Sequence, residues 1–193
     1  MNDLLGMVRA KELINQALAI STWRAVTAAG TLGVVGDITH AQELANALDH
    51  DSPRHTLIQN RDLPTIRVLI LIHDQRPQEA IKILQTAKAY RRGGAGDGVG
   101  LYAVYLRGQA YLGSGNATQA AVEFQRVLDE RGRVGYFIIG VLAHLQLGRA
   151  QVILGDKVAA RKSYNDFLTR WKDADPDIPI YIQAKAEYAR RPR

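Results

Sequence analysis

The sequence has no cysteine, only six prolines in 193 residues, and no apolar run approaching the roughly 18 residues that a bilayer-spanning helix needs. The missing cysteine excludes a disulfide scaffold, a thiolate-ligated zinc or iron–sulfur site and a thiol nucleophile. The longest apolar candidate, Ile66–Ile72, is interrupted by Arg67 and stopped by His73-Asp74. An acid at Asp3 stands where a secretory signal wants bases, so the expectation is a cytoplasmic chain with no membrane partner. What is present is ordinary for a globular protein: 47 % apolar and 23 % charged residues, enough for one domain or one short repeat array. The net charge of +6 comes from 18 Arg and 7 Lys against 19 Asp and Glu, spread along both halves of the chain. An even spread reads as a solvated helical surface. A nucleic-acid footprint clusters on one helix or stripe.

Apolar residues recur with helical spacing almost throughout: Leu4, Val8, Leu13 and Ala17; Leu44, Ala45 and Leu48; Ala80, Ile81, Leu84 and Ala87; Val122, Phe124, Val127 and Leu128. No long stretch alternates with period two, and no Asn-Gly or Asp-Gly hairpin sits between β-branched runs, which predicts an all-α protein. The prolines (Pro53, Pro64, Pro77, Pro176, Pro179 and Pro192) fall between these segments or in their first turns, where a missing N–H costs nothing. Gly36, Gly115 and Gly155 are each followed by a capping residue, Asp37, Asn116 and Asp156. Glycine stops one helix in the left-handed region and the next polar side chain starts another, so each site predicts a tight helical hairpin.

Aligned on those turns, the chain repeats. Gly108, Tyr111, Gly115, Ala120 and Phe124 recur as Gly148, Gln151, Gly155, Ala160 and Tyr164. More degenerate copies surround Gly36, with Ala29 and Ala41, and Gln75, with Val68, Ala80 and Leu84. The centres at 36, 75, 115 and 155 are 39, 40 and 40 residues apart. Small residues at Gly108 and Ala120 suit a close helix–helix approach, and Tyr111 and Phe124 suit the groove to a neighbouring hairpin. One such hairpin cannot bury its face alone, so neighbours are expected to stack. The surplus over a unit of about 34 residues is expected in longer helices and in loops at 91–100 and 131–136.

These residues resemble the tetratricopeptide repeat (TPR) family: a small residue, then an aromatic, then glycine in the first helix and turn, and alanine and an aromatic in the second. The copy at Gly115 fits throughout, and the copy at Gly155 departs only at Gln151. The resemblance implies a right-handed superhelical solenoid of helix-turn-helix hairpins (21–53, 56–90, 100–131 and 134–173). An unpaired helix would precede it at 1–20, and a capping helix and tail would follow at 179–193. Residues 101–190 also resemble the C-terminal TPR region of bacterial multidomain signalling proteins. The stretches that carry this are Tyr105–Leu112, Ala121–Gln125, Ala143-His144-Leu145 and Trp171–Pro179. In those proteins a serine/threonine kinase or winged-helix domain precedes the repeats. This chain has no glycine loop with a following lysine, no His-Arg-Asp and no Asp-Phe-Gly, so kinase activity carries over to no residue here.

Several sharper motifs weaken on inspection. The glycine cluster from Arg91 to Gly100 lacks the Gly-Lys-Ser/Thr ending of a phosphate loop and reads as an inter-hairpin loop. Asp173, Asp175 and Asp177 lack the glycine and glutamate of an EF-hand, since Ile178 and Ala184 stand there; Asp177 or a neighbour is expected to cap a helix starting at Pro179. Asn116-Ala117-Thr118 fits an N-glycosylation sequon, but capping explains Asn116 better. His40, His50, His55, His73 and His144 form no i, i+4 pair, and a metal or catalytic site would need a tertiary coincidence. His144 is expected to pack between hairpins. No cofactor, metal or catalytic residue is therefore expected.

The resemblance places an inner, concave face on the first helix of each hairpin. Its candidates for partner binding are Trp23, Tyr102, Tyr105, Gln109 and Arg149, while Leu142 and Leu145 are as well explained by interior packing. Gln109 and Arg149 alone do not make the family's clamp for C-terminal carboxylates. The expected function is a non-catalytic scaffold that binds a protein or peptide on that face. The competing expectations are a self-associating module, here a homodimer, and a basic helical protein associated with nucleic acid.

Overall fold

The structure, a computed structural model, describes residues 28, 37–86, 99–134 and 138–190. Trp23, Gly36, the expected helix at 1–20 and most of the glycine cluster lie outside the described residues. Those described form helices joined by turns, with no strand among them. The chain divides into two compact units, 1–93 and 94–193.

In the first unit, α1 (Ile38–Asp51), α2 (Leu63–His73) and α3 (Pro77–Thr86) pack in succession. Asp37 caps α1 by accepting the His40 N–H. The apolar stripe of α1 (Ala41, Leu44, Ala45 and Leu48) meets Ile58, Leu63, Ile66 and Ile70 in one buried cluster. A π-helical turn, Ile58–Asp62, leads into α2, with the Leu63 N–H reaching back to the Ile58 carbonyl. Pro64 follows with no N–H to give this turn, which is a physical reason for the ladder to widen there.

The second unit consists of α4 (Val99–Gly113), α5 (Ala117–Asp129), a short α6 (Arg131–Val134), α7 (Ile139–Ile153), α8 (Lys157–Arg170) and α9 (Pro179–Ala189). Three differences from the sequence reading are local. The start of α4 takes up the end of the glycine cluster, and part of the loop expected at 131–136 is helical. In α9, Pro179 opens the helix as expected, but Ile178 is the N-cap and contributes no side-chain bond, so Asp177 is not the cap. A prolyl N1 needs no N–H acceptor, which leaves less for a capping carboxylate to do.

The three described hairpin turns are the same motif. At Gly115 the glycine N–H bonds the Leu112 carbonyl (3.1 Å) and the next N–H, of Asn116, bonds that of Tyr111 (2.9 Å). The pairs Gly155–Val152 with Asp156–Gln151, and Gln75–Ile72 with Arg76–Leu71, repeat this forty residues to either side. Their central residues have φ of 81°, 79° and 58°. Gln75 is therefore a non-glycine in the left-handed region, held by the same closing bonds. Asn116 and Asp156 then cap α5 and α8 by accepting the N–H groups of Gln119 and Ala159.

Inside each hairpin the helices meet at a glycine. A Cβ placed on Gly108 would lie 2.6 Å from the Phe124 ring, and one on Gly148 would lie 2.8 Å from the Tyr164 ring. Ala120, Phe124, Ala160 and Tyr164 are all fully buried. In the hairpin of α2 and α3 the corresponding residues are Val68, Ala80 and Leu84, also buried. There a larger residue replaces the glycine and a smaller one the aromatic, so the summed volume is kept.

This contact reverses an ordinary substitution effect. Glycine to alanine in a helix interior normally stabilises by about 0.5–1 kcal/mol. Gly108→Ala and Gly148→Ala should instead destabilise by about 1–3 kcal/mol, because an aromatic ring backed by packed neighbours must move. Ala120→Leu should cost a similar amount. Urea denaturation monitored by circular dichroism measures both effects, and a neutral Ala120→Leu would mean that this residue does not face its sister helix.

Candidate functional site

The face expected to bind a partner is partly consumed by the protein itself. Tyr105 is buried, 4 % exposed, with its ring edge-on to Phe124 (centroids 5.7 Å apart) and to Tyr102 (6.5 Å). It is a core residue rather than an open anchor, because α7 packs over this part of α4. Gln109 donates to the Tyr105 hydroxyl at 3.3 Å, and Gln146 of α7 bonds the same hydroxyl. Tyr102 and Gln109 remain half-buried. Leu145 is completely buried, as interior packing requires, and Leu142 is half-buried.

Arg149 already holds an intramolecular anion. Its Nε and Nη2 donate to the two carboxylate oxygens of Glu187 on α9 at 3.0 and 2.8 Å, and Nη1 reaches Gln146 at 3.4 Å. The Tyr164 hydroxyl donates to Glu187 as well, at 2.6 Å. Burial alone would pull the guanidinium pKa down, but the bond to Glu187 and its charge outweigh that and hold it above its ordinary value. A paired, two-point bond of this kind fixes orientation as well as charge. Phe167 of α8 and Trp171, its C-cap, anchor the other end of α9 through Tyr181, with Trp171 6.4 Å from the Tyr181 ring. Sequence reading placed Arg149 on this surface and missed Glu187, which is 38 positions away and carries no local signal.

A second site lies between α5 and α8, with α7 as its floor. This groove encloses about 550 Å³, within the roughly 300–1,000 Å³ of pockets that hold a small ligand. Leu128, Leu147 and Ala159 give it an apolar lining; Gln125 and Asp129 stand on one wall and Lys162, Ser163 and Asp166 on the other. His144 and Gln151 come from the floor. The buried His144 sits with Nδ1 3.9 Å from the Asp166 carboxylate, and Lys162 approaches that carboxylate at 3.6 Å. The groove thus brings together serine, histidine and aspartate from two helices, a tertiary coincidence that spacing could not reveal. The Ser163 hydroxyl donates to Gln151 at 2.8 Å, so its hydrogen is committed to an amide oxygen and not to the imidazole. That bond also accounts for Gln151 standing where the sister hairpin has Tyr111: it supplies an acceptor for Ser163. Among the described residues, no group of three or more histidine and carboxylate side chains is placed to hold a metal ion.

No protein-family model, curated protein or solved structure matches the chain.

The buried tyrosine makes a titration prediction. Burial raises the Tyr105 hydroxyl well above its ordinary pKa of 10.0. An unfolded chain ionises this group near pH 10, whereas the folded one keeps it protonated. Its effect on stability is therefore nil below pH 10 and increasingly unfavourable above it. Tyrosinate absorbance should show Tyr105 ionising only together with unfolding, and Tyr105→Phe should flatten the loss of stability above pH 10.

Proposed function

We propose that this chain is a non-catalytic interaction module built of stacked TPR-like hairpins in a right-handed superhelix. On this reading it docks a protein or peptide partner as the sensory or scaffold part of a cytoplasmic bacterial signalling protein. Support for the repeat comes from one turn motif and one glycine–aromatic contact that recur forty residues apart. Support for binding comes from a single observation, the groove between α5 and α8. It is large enough for side chains of an extended segment, its floor combines Leu147 with His144 and Gln151, and Asp129 and Asp166 stand on opposite walls. Lys162 already approaches Asp166, so Asp129 is the wall carboxylate that most favours a segment presenting a lysine or arginine. The Arg149 face is the weaker candidate, because Glu187 already fills the anion position there.

Peptides selected from a random phage-displayed library against the intact protein test this reading. The expected hits carry a basic residue. Their affinity should fall roughly tenfold or more in Asp129→Lys and Asp166→Lys, since each change adds a desolvated like charge. It should be unchanged in Tyr102→Ala. Peptides that ignore the groove variants and are lost in Tyr102→Ala would return the binding site to α4, and failure to enrich any peptide would remove the docking role.

A further inference from the structure

The tip of the α7–α8 hairpin is unlike its sisters. Ile153 is 59 % exposed, Leu154 48 % and Val158 84 %, with Val152 beside them at 36 %. The turn itself does not demand these side chains. The same closing bonds and nearly the same φ occur at Gly115, where the corresponding residues are Gly113, Ser114 and Thr118. At the tip between α2 and α3 they are His73, Asp74 and Gln78. Three turns of one geometry thus carry polar or small residues twice and exposed aliphatics once.

The charges around this tip differ in the same way. Arg161 and Lys162 follow Val158 by three and four residues, which sets them on its side of α8, and Lys157 precedes it. All three are exposed. The corresponding residues of α5 are Ala121, Val122 and Ala117. Of the nearby acids, Asp156 is engaged in capping α8, and Asp166 faces Lys162 at 3.6 Å. The Arg161 guanidinium also lies over the Tyr188 ring, 4.8 Å from its centre, so its position on the surface is defined.

We propose that this tip seats the protein on an anionic lipid surface, with Ile153, Leu154 and Val158 entering the interface and Lys157, Arg161 and Lys162 meeting headgroup phosphates. A second copy fits less well. Two tips pressed together would oppose like charges, and these few side chains fall short of the roughly 1,200 Å² at which specific interfaces begin. A protein pocket fits less well too. The tip is convex and offers only Val, Ile and Leu, without the aromatic anchors that carry most protein interfaces. A bilayer asks for no matching shape, only buried aliphatic area next to cations. No spanning segment is involved: among the described residues no helix is long and apolar enough to cross a membrane.

The test is co-sedimentation of the full chain with phosphatidylcholine vesicles, with and without roughly 30 % phosphatidylserine. Binding is expected with the anionic vesicles, weakened by salt. Exchanging the tip for its sister's residues (Ile153→Gly, Leu154→Ser and Val158→Thr) should lower partitioning roughly tenfold or more. That triple variant borrows residues the same turn already tolerates at Gly115, and circular dichroism confirms that it folds. Because the chain has no cysteine, a second measurement does not depend on the variant. A polarity-sensitive dye on Ile153→Cys should shift to the blue on anionic vesicles, and the same dye on Gly113→Cys should not. Absence of vesicle binding by the unaltered protein would overturn the proposal, as would equal binding to neutral vesicles or equal shifts at both tips. Concentration-dependent dimerisation that needs the tip, without lipid binding, would assign the patch to a second copy instead. Asp166 pairs with the patch residue Lys162, so the groove variant used alongside the vesicles is Asp129→Lys on α5, and the peptide and vesicle experiments can fail separately.

Discussion

The close approach of two helices at a glycine governs the second unit. Gly108 lets α5 bring the Phe124 ring close against α4, and Gly148 lets α8 bring the Tyr164 ring close against α7. Because the rings fill this contact, their far edges are where the next elements must pack. Phe124 turns its ring to Tyr105 inside its own hairpin, whereas the Tyr164 hydroxyl reaches Glu187 on α9. For α7 and α8, the spacing of the pair thus also bears on where the following helix attaches. Removing the glycine would disturb more than one contact, since packed interiors transmit a displacement instead of absorbing it.

How much of this the sequence disclosed depends on the range of the interactions. Turn glycines and their capping residues act within a few positions, so Gly115, Asn116, Gly155 and Asp156 could be read directly. Gln75 could be placed only by counting from its sisters, because glutamine by itself gives no hint of a left-handed backbone. The hairpin contact was legible as a small residue spaced from an aromatic. The candidate site was much less so. Helical spacing puts Tyr105 and Arg149 on the same kind of surface, but it cannot say that α7 covers the first or that Glu187 meets the second. The groove draws on three helices, and no single stretch carries its pattern. The exposed aliphatics at Ile153 and Leu154 follow directly on Val152 at the end of the largely apolar α7, so only the fold separates them from its buried face.

The second unit has three distinct surfaces, and they follow from how charge is disposed on it. Arg149 is neutralised internally, which turns the surface toward α9 into a structural seam. The groove has carboxylates on both walls in a chain whose net charge is +6. The hairpin tip has the opposite balance, cations around exposed aliphatics. Even a uniformly distributed arginine excess can therefore yield local sites of either sign, once folding pairs some charges and leaves others to solvent.

The buried ion pair between Arg107 and Glu123 joins α4 to α5, and both residues are almost wholly buried. Arg126 adds a second cation on Glu123, at 3.1 Å. In the sister hairpin the equivalent residues are Leu147 and Ser163. Two hairpins this alike could exchange helices while the chain folds, α4 seizing α8 or α7 seizing α5. Pairing α4 with α8 would set the buried Arg107 against serine, and an unpaired buried charge is far more costly than the correct pair is favourable; pairing α7 with α5 would leave Glu123 with Arg126 alone. The pair therefore weighs against a mismatched pairing of α4 with α8, besides joining α4 to α5.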